Sequence, residues 1–307
     1  MNEHLNLNEP DGVLLVNKHA GPTSHDIINK IRRLYNTKKV GHTGTLDPMA
    51  TGILVVLIGR AAKACEYLVC DSKRYRAGLR LGLTTDSEDI TGMVQTTSQQ
   101  IPSTEDLFSV LPRFQGEIMQ TPPMYSALKV QGKKLVDLAR QGITVERKPR
   151  PIKIFSLEAT ATESASDYIL DVHCSGGTYI RTLCADIGNA LGCGGVMTSL
   201  ERTETSNFSI KSAYTVEQLE EMTEEARRAL LIPTEQLFAS LPAIHLSQFY
   251  ERLCRSGCEI YLAKIKKIFP IGTRVRLCTA SGEFFAIGDV GEYADGPAVK
   301  AIKTFVL

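Results

Sequence analysis

The stretch Val40-Gly41-His42-Thr43-Gly44-Thr45-Leu46-Asp47-Pro48-Met49-Ala50-Thr51-Gly52 constrains this chain most. It sets three glycines, three threonines and one proline in a short span, and the apolar run Ile53-Leu54-Val55-Val56-Leu57-Ile58 follows at once. The run reads as a buried strand. A loop of that composition feeding a core strand is anchored yet sharply bent. Its glycines permit positive φ and close approach of a ligand to backbone, and Pro48 biases Asp47 toward an extended conformation. One carboxylate, Asp47, is therefore presented at a fixed angle. His42 is the imidazole nearby, and the loop carries no second acid.

A lone presented aspartate has several uses. It caps helices and closes Asx-turns. It ligates metals, but here only His42 offers a second donor at suitable spacing. It also serves as nucleophile or general base on a sugar. Classical glycoside hydrolysis needs two carboxylates. One carboxylate suits a reaction that breaks and remakes a glycosidic bond without consuming water.

From Gly41 to Gly52 the loop closely resembles the catalytic loop of the TruB-type tRNA pseudouridine synthases, which convert uridine 55 in the T loop of tRNA to pseudouridine. Four further stretches resemble that family, in the right order along the chain. Lys73-Arg74-Tyr75 resembles its second motif, and the turn from Lys18 to Ser24 its N-terminal one. Thr121-Pro122-Pro123-Met124-Tyr125-Ser126-Ala127-Leu128-Lys129 and Ser175-Gly176-Gly177-Thr178-Tyr179-Ile180-Arg181-Thr182-Leu183 match as well. The resemblance implies Asp47 as catalyst and Tyr75 stacked on the target base. It implies Arg181 ion-paired with Asp47, which keeps the carboxylate charged. His42 wedges into the RNA loop as the uridine flips out, and Leu200 lines an apolar pocket. Lys18, Lys73 and Tyr179 belong to the same motifs and are expected at the RNA. Lys129, Lys133, Lys134 and Arg140 lie in the most basic part of the chain, where phosphate contacts give affinity and orientation. Three departures stand out. Val136 replaces an expected aromatic, Glu201 and Glu204 replace basic residues, and Ser206 stands at a glycine position.

The implied fold class is α+β: the pseudouridine synthase fold, a mixed, mainly antiparallel sheet with flanking helices, plus a small C-terminal β-barrel resembling a PUA-type RNA-binding domain. Residues 1–10 read as a disordered tail. Residues 11–238 read as the catalytic domain, with an RNA-gripping insertion at about 121–153, and residues 243–307 as the PUA-like domain. The chain has 307 residues, consistent with two domains.

Locally, Gly12 to Lys18 reads as a strand, and Thr23 or Ser24 as the cap of a helix burying Ile27, Ile28, Ile31 and Leu34. Arg60 to Leu68 reads as a helix and Tyr75 to Gly82 as a strand. Thr84 to Asp89 reads as a turn, Ser103 as a helix cap, and Tyr168 to Cys174 as a strand. A helix runs from the Gly176-Gly177 turn toward Leu191, and Thr215 to Gln218 forms a capping box. Ala239 to Pro242 reads as a linker. Beyond it lie a helix through Leu253 and strands at Thr273–Leu277, Phe284–Gly288 and Ala298–Ile302.

Composition narrows the class. The chain is 43% hydrophobic and 22% charged, with a net charge of +1. That charge is not the global signature of an RNA binder, so affinity must come from local patches. The eight cysteines form no CxxC pair and read as reduced core thiols. No leader and no membrane-spanning apolar stretch is evident. The expected partner is tRNA, through its T-stem loop, bound by a cytoplasmic monomer with no metal and no organic cofactor. The competing readings are a non-catalytic RNA-binding protein or tRNA-folding chaperone on the same scaffold, and a pseudouridine synthase with another RNA target. A phosphate-binding hydrolase lacks the P-loop lysine motif.

Overall fold

The run Thr51–Ile58 is apolar at successive positions because both of its faces are covered. Leu54, Val56 and Ile58 enter the main core, whereas Ile53, Val55 and Leu57 enter a second core on the opposite face. Side chains alternate across a strand, so a strand sandwiched between two cores needs apolar residues throughout. Gly12–Lys18 pairs with it antiparallel, Gly12 opposite Ile58 and Lys18 opposite Gly52, and divides its side chains in the same way. The computed structural model describes residues 9–67, 72–130 and 132–305.

These two strands begin a nine-stranded sheet. After Gly12–Lys18 and Thr51–Ile58 the order runs Gly195–Thr205, Lys73–Leu81, Asp167–Cys174, Arg150–Ala161 and Gly116–Gln120, with two short strands pairing off this path. Thr51–Ile58 and Gly195–Thr205 pair in parallel, and the other neighbours along the path are antiparallel. The sheet is thus mixed and mainly antiparallel. The helices Ser24–Leu34, Thr104–Val110 and Ile180–Ala190 supply buried side chains to the main core. Thr23, Ser103 and Thr215 each close a capping box, satisfying amide donors that a helix start leaves open.

The C-terminal part carries a second, five-stranded sheet in the order Ala243–His245, Arg274–Cys278, Phe284–Tyr293, Gly296–Thr304, Ile260–Tyr261. It curls into a half-barrel consistent with a PUA-like fold, and the helix Gln248–Arg255 contributes to its core. Ile287 from this sheet and Phe305, one residue past its strand Gly296–Thr304, join Phe238 in the second core, which also holds Ile53, Val55 and Leu57.

Several local expectations need correction. Residues 1–8 of the expected tail lie outside the described residues, but Glu9 and Pro10 are placed: Glu9 pairs with Lys39 at 3.1 Å and Pro10 is buried. The helix after the buried strand is a 3₁₀-helix, Gly59–Glu66. Its tighter winding eclipses positions three apart and sets Ala61 and Ala64 together in the second core. The expected continuation at Leu68 lies outside the described residues. The segment from Thr84 is not a simple turn, because Leu83–Thr85 pairs with Val94–Thr97 as a hairpin. Among the described cysteines five are buried, but Cys65 and Cys258 are exposed; Cys70 lies outside them.

The insertion emerges between Gln120 and Arg150, which are paired residues of adjacent strands. It contains a hairpin, Lys129–Val130 with Lys133–Lys134, and the helix Leu135–Ala139. Met124, Leu135 and Leu138 give it a small core of its own.

Candidate active site

The loop that presents Asp47 is held from beneath by side chains of three elements. Pro48 follows Asp47 in a tight turn closed by the Ala50 amide donating to the Asp47 carbonyl at 3.0 Å. Ser24, the first residue of its helix, holds Leu46 from both sides. The Leu46 amide donates to Ser24 Oγ at 2.9 Å, and that hydroxyl donates to the Leu46 carbonyl at 3.0 Å. Lys18 ends the first strand with no exposed surface. Its Nζ donates to the carbonyls of His19, Pro48 and Ala50 at 3.0, 3.1 and 2.6 Å. Arg202 is almost wholly buried. Its Nε donates to the Ile53 carbonyl at 2.8 Å and its Nη2 to the Gly44 carbonyl at 3.0 Å. At Gly52 the backbone runs so close to Arg202 that a Cβ would strike Arg202's own main chain, and φ is +104°. That position requires glycine.

Above these supports sits an ion pair. Arg181 Nε lies 3.0 Å from Asp47 Oδ2, and its Nη2 donates to Oδ1 at 3.3 Å. The two partners differ in exposure: the Asp47 side chain is 36% accessible and that of Arg181 only 6%. The carboxylate therefore faces outward from a sealed cation. Arg181 also donates to the carbonyls of Ser87 at 3.1 Å and Tyr125 at 2.8 Å, and Asp89 Oδ2 lies 3.8 Å from its Nε. A guanidinium so enclosed is fixed in orientation as well as charge.

Tyr75 is buried on the strand beside these groups. Burial pushes its phenol pKa up, the Arg202 guanidinium opposes that shift, and Asp47 adds to it. His42 is half-buried at the end of a short strand. Burial lowers its pKa, reinforced by Arg202 and His25, so the imidazole is neutral at neutral pH. Its buried Nδ1 has no hydrogen-bond partner. In Lys18, burial holds the ammonium pKa down to about 8, with Asp47 pulling it up and Arg202 pushing it down.

The structure thus brings Asp47, Arg181, Tyr75 and Lys18 together around one loop, with His42 earlier in the same loop. Lys18, expected at the RNA, has no exposed surface and donates to three carbonyls, two of them in the loop. Leu200 is buried in the main core. Lys73 is half-buried, and a Cβ on Gly44 would lie 3.1 Å from its Nζ. Tyr179 caps the Ile180–Ala190 helix. Lys129, Lys133, Lys134 and Arg140 are exposed on the insertion; among the described residues no acidic side chain pairs with them. Lys129 and Lys134 are directly opposite in the hairpin, a like-charge pairing that destabilises a bare ribbon and favours an anionic partner.

Sequence reasoning missed Ser24, Asp89, Gln120 and Arg202. Arg202 was visible only as one cation in a strand whose neighbours are Glu201 and Glu204. Glu204 itself pairs with Arg74 at 3.0 Å. Ser206 does adopt the glycine-like conformation, with φ at 53°. Among the described residues, no group of three or more His, Cys, Asp or Glu side chains could hold a metal ion, and no helix is long and apolar enough to cross a membrane.

Comparison with known proteins identifies the family. A family model for the N-terminal domain of TruB family pseudouridylate synthases matches residues 32–180. A model for the C-terminal domain of tRNA pseudouridylate synthase B matches residues 181–239. A protein named tRNA pseudouridine synthase B from Pasteurella multocida is 40% identical over 92% of each chain. Its namesake from Thiobacillus denitrificans is 45% identical over 81% of this chain and 84% of its own. A chain from a crystal structure of a Cbf5-Nop10-Gar1 complex superposes with a TM-score of 0.75 at 27% identity, covering 99% of this chain and 88% of that one. On the two matched family models and on relatives this similar along most of the chain, the protein belongs to the TruB family of pseudouridylate synthases.

Proposed function

We propose that the protein is a tRNA pseudouridine synthase that isomerises uridine 55 in the T-stem loop, working as a cytoplasmic monomer with Asp47 as its catalytic group. One observation carries the reading: a half-exposed carboxylate held by a buried arginine through two contacts, 3.0 and 3.3 Å. The reaction breaks the bond from ribose C1′ to N1 and forms one from C1′ to C5. The proton from C5 leaves to solvent and N1 regains one, so no water is consumed.

The target uridine must leave its stack, which costs a few kcal/mol and least in a loop. His42, neutral and at the front of the loop, takes the vacated place. Tyr75 and Leu200 form the floor on which the base rests. Asp47 engages the nucleoside while Arg181 balances its charge. The exposed cations Lys129, Lys133, Lys134 and Arg140 contact phosphates and set the register of the RNA. In this reading residues 11–238 form the catalytic unit and residues 243–307 a PUA-like RNA-binding unit.

The test is tritium release from a tRNA transcript carrying 5-tritiated uridine. The unmodified protein is expected to release tritium from the T loop. Asp47→Asn is expected to be slower by at least about three orders of magnitude while still binding the T arm. Release by Asp47→Asn at an undiminished rate would sink the assignment. T-arm binding by both proteins with release by neither would point to a non-catalytic RNA-binding protein.

A further inference from the structure

Gln120 occupies the narrowest point of the insertion. It is the last residue of one strand and pairs with Arg150, the first residue of the next, so the chain leaves for the insertion and returns from it at this pair. The Gln120 side chain is nevertheless almost fully buried. Its Nε2 donates to the Tyr179 carbonyl at 3.0 Å, and its Oε1 accepts the Tyr179 amide at 2.8 Å. Tyr179 caps the helix Ile180–Ala190 and lacks a side-chain cap of its own. Arg181 lies two residues further on. The insertion reaches Arg181 a second time, through the Tyr125 carbonyl at 2.8 Å, and the Tyr125 hydroxyl donates to Asp86 at 3.0 Å.

We propose that Gln120 is a positioning residue that couples the seating of the RNA-contacting insertion to the placement of Arg181 on Asp47. This rests on the reading of Asp47 and Arg181 given above. The physical argument is the two-point grip. A primary amide facing the N–H and the C=O of one residue engages both its donor and its acceptor, so Tyr179 cannot turn without Gln120 turning. The grip is closed in a buried site, where a lost partner leaves a bare polar group. A shift at the stem of the insertion therefore passes through Tyr179 into the first turn of the helix, and Arg181 answers as a side chain already fixed by the Asp47 carboxylate and two carbonyls. Displacements near 1 Å at such distances cost rate rather than binding. The seating of the lysine hairpin on RNA would then set the alignment of the ion pair.

Two variants and the pH separate this role from plain support of the fold. Gln120→Leu removes both hydrogen bonds. It is expected to lower the single-turnover rate about tenfold or more, with T-arm dissociation constant within about twofold of the unmodified protein. Gln120→Glu keeps the shape but, when ionised, offers no donor to the Tyr179 carbonyl. When protonated it restores both halves of the grip. Its rate, taken relative to the unmodified protein at the same pH, is expected to be low at pH 8 and to recover to within about threefold toward pH 5, as the buried carboxyl takes up its proton. Undiminished turnover in Gln120→Leu overturns the proposal. So does a Gln120→Glu protein that is slow at every pH, or one whose binding weakens in step with its rate. Asp47→Asn, run alongside, reports separately on the site: if it turned over normally the reading of Asp47 would fail, whatever Gln120 did.

Discussion

Lys18 shows how a single side chain changes meaning between sequence and structure. Its place in a family-like turn suggested RNA, but its ammonium is enclosed and donates to the carbonyl of His19 and to two carbonyls, of Pro48 and Ala50, in the turn that carries Asp47. An amine that has lost its proton keeps two N–H groups for those three acceptors. With its pKa brought down to about 8 by burial, that loss begins within the working range. The folded protein holds the Lys18 proton less tightly than the unfolded chain does. Between pH 8 and the ordinary lysine range, deprotonation therefore favours the folded state, and the loop rather than the fold suffers. The single-turnover rate should fall as pH rises through about 8, while the melting temperature shows no matching loss. Lys18→Met should be about tenfold or more slower at neutral pH and show no inflection there; an inflection surviving in that variant would assign it to another group. The pairing of Asp47 with Arg181 was legible because two motifs carry it. Ser24 and Arg202 were not, because a helix-start serine and a strand arginine have common local uses. Their real partners, Leu46, Gly44 and Ile53, are fixed only when distant segments meet.

At the scale of the element, the helix Ile180–Ala190 was readable from its glycine turn and apolar spacing. What it faces was not. Thr182 donates to Glu88 Oε2 at 2.5 Å, and Asp186 lies one turn further along. Burial raises the Asp186 pKa to about 6, and Glu88 adds to the rise. Glu88 is itself raised by burial, against the pull of Thr182 and Arg181. A carboxyl whose pKa is higher folded than unfolded supplies stability below the unfolded value, and that stability is lost as pH rises through about 6. Asp186→Asn should therefore stabilise the protein at pH 8 by roughly 1–2 kcal/mol, a few degrees in melting temperature. The gain should vanish near pH 4. An equal effect at both pH values would mean that the charge is not its source. The turn expected at Thr84–Asp89 is present at Asp86–Ser87 between the two strands of the hairpin, but what its side chains do was not readable for a related reason. Its polar residues are those of a loop, but Asp89 is buried beside Arg181 and Asp86 is held by Tyr125. Polarity marked the segment, and only the fold shows that its polarity serves the site.

For the whole molecule the decisive feature is the second core. The sequence announces two sheets with a short linker between them, which suggests units that fold apart. In the structure, Phe238, at the end of the segment entering that linker, is buried against Phe284 and Phe305 of the C-terminal sheet at ring-centroid separations of 5.8 and 5.5 Å. The same core contains Val13, Leu15, Ile53, Val55 and Leu57 of the main sheet. The strand behind the Asp47 loop therefore shares its second core with the far end of the chain. No periodicity within Ile53–Ile58 could reveal which partner covers its second face; it could only show that both faces are covered. A seam of this kind should make the two sheets unfold as one cooperative unit. Phe238→Ala removes a buried ring from its centre and should cost about 3–4 kcal/mol. Calorimetry should then show the single transition of the unmodified protein shifted down and divided, with the C-terminal sheet melting first. Because Val55 accepts the Thr43 amide at 3.1 Å, loosening that strand reaches the residue beside His42, so the variant should also lose turnover below its new first transition. An unshifted single transition with full activity would mean that the two sheets are held together by contacts elsewhere.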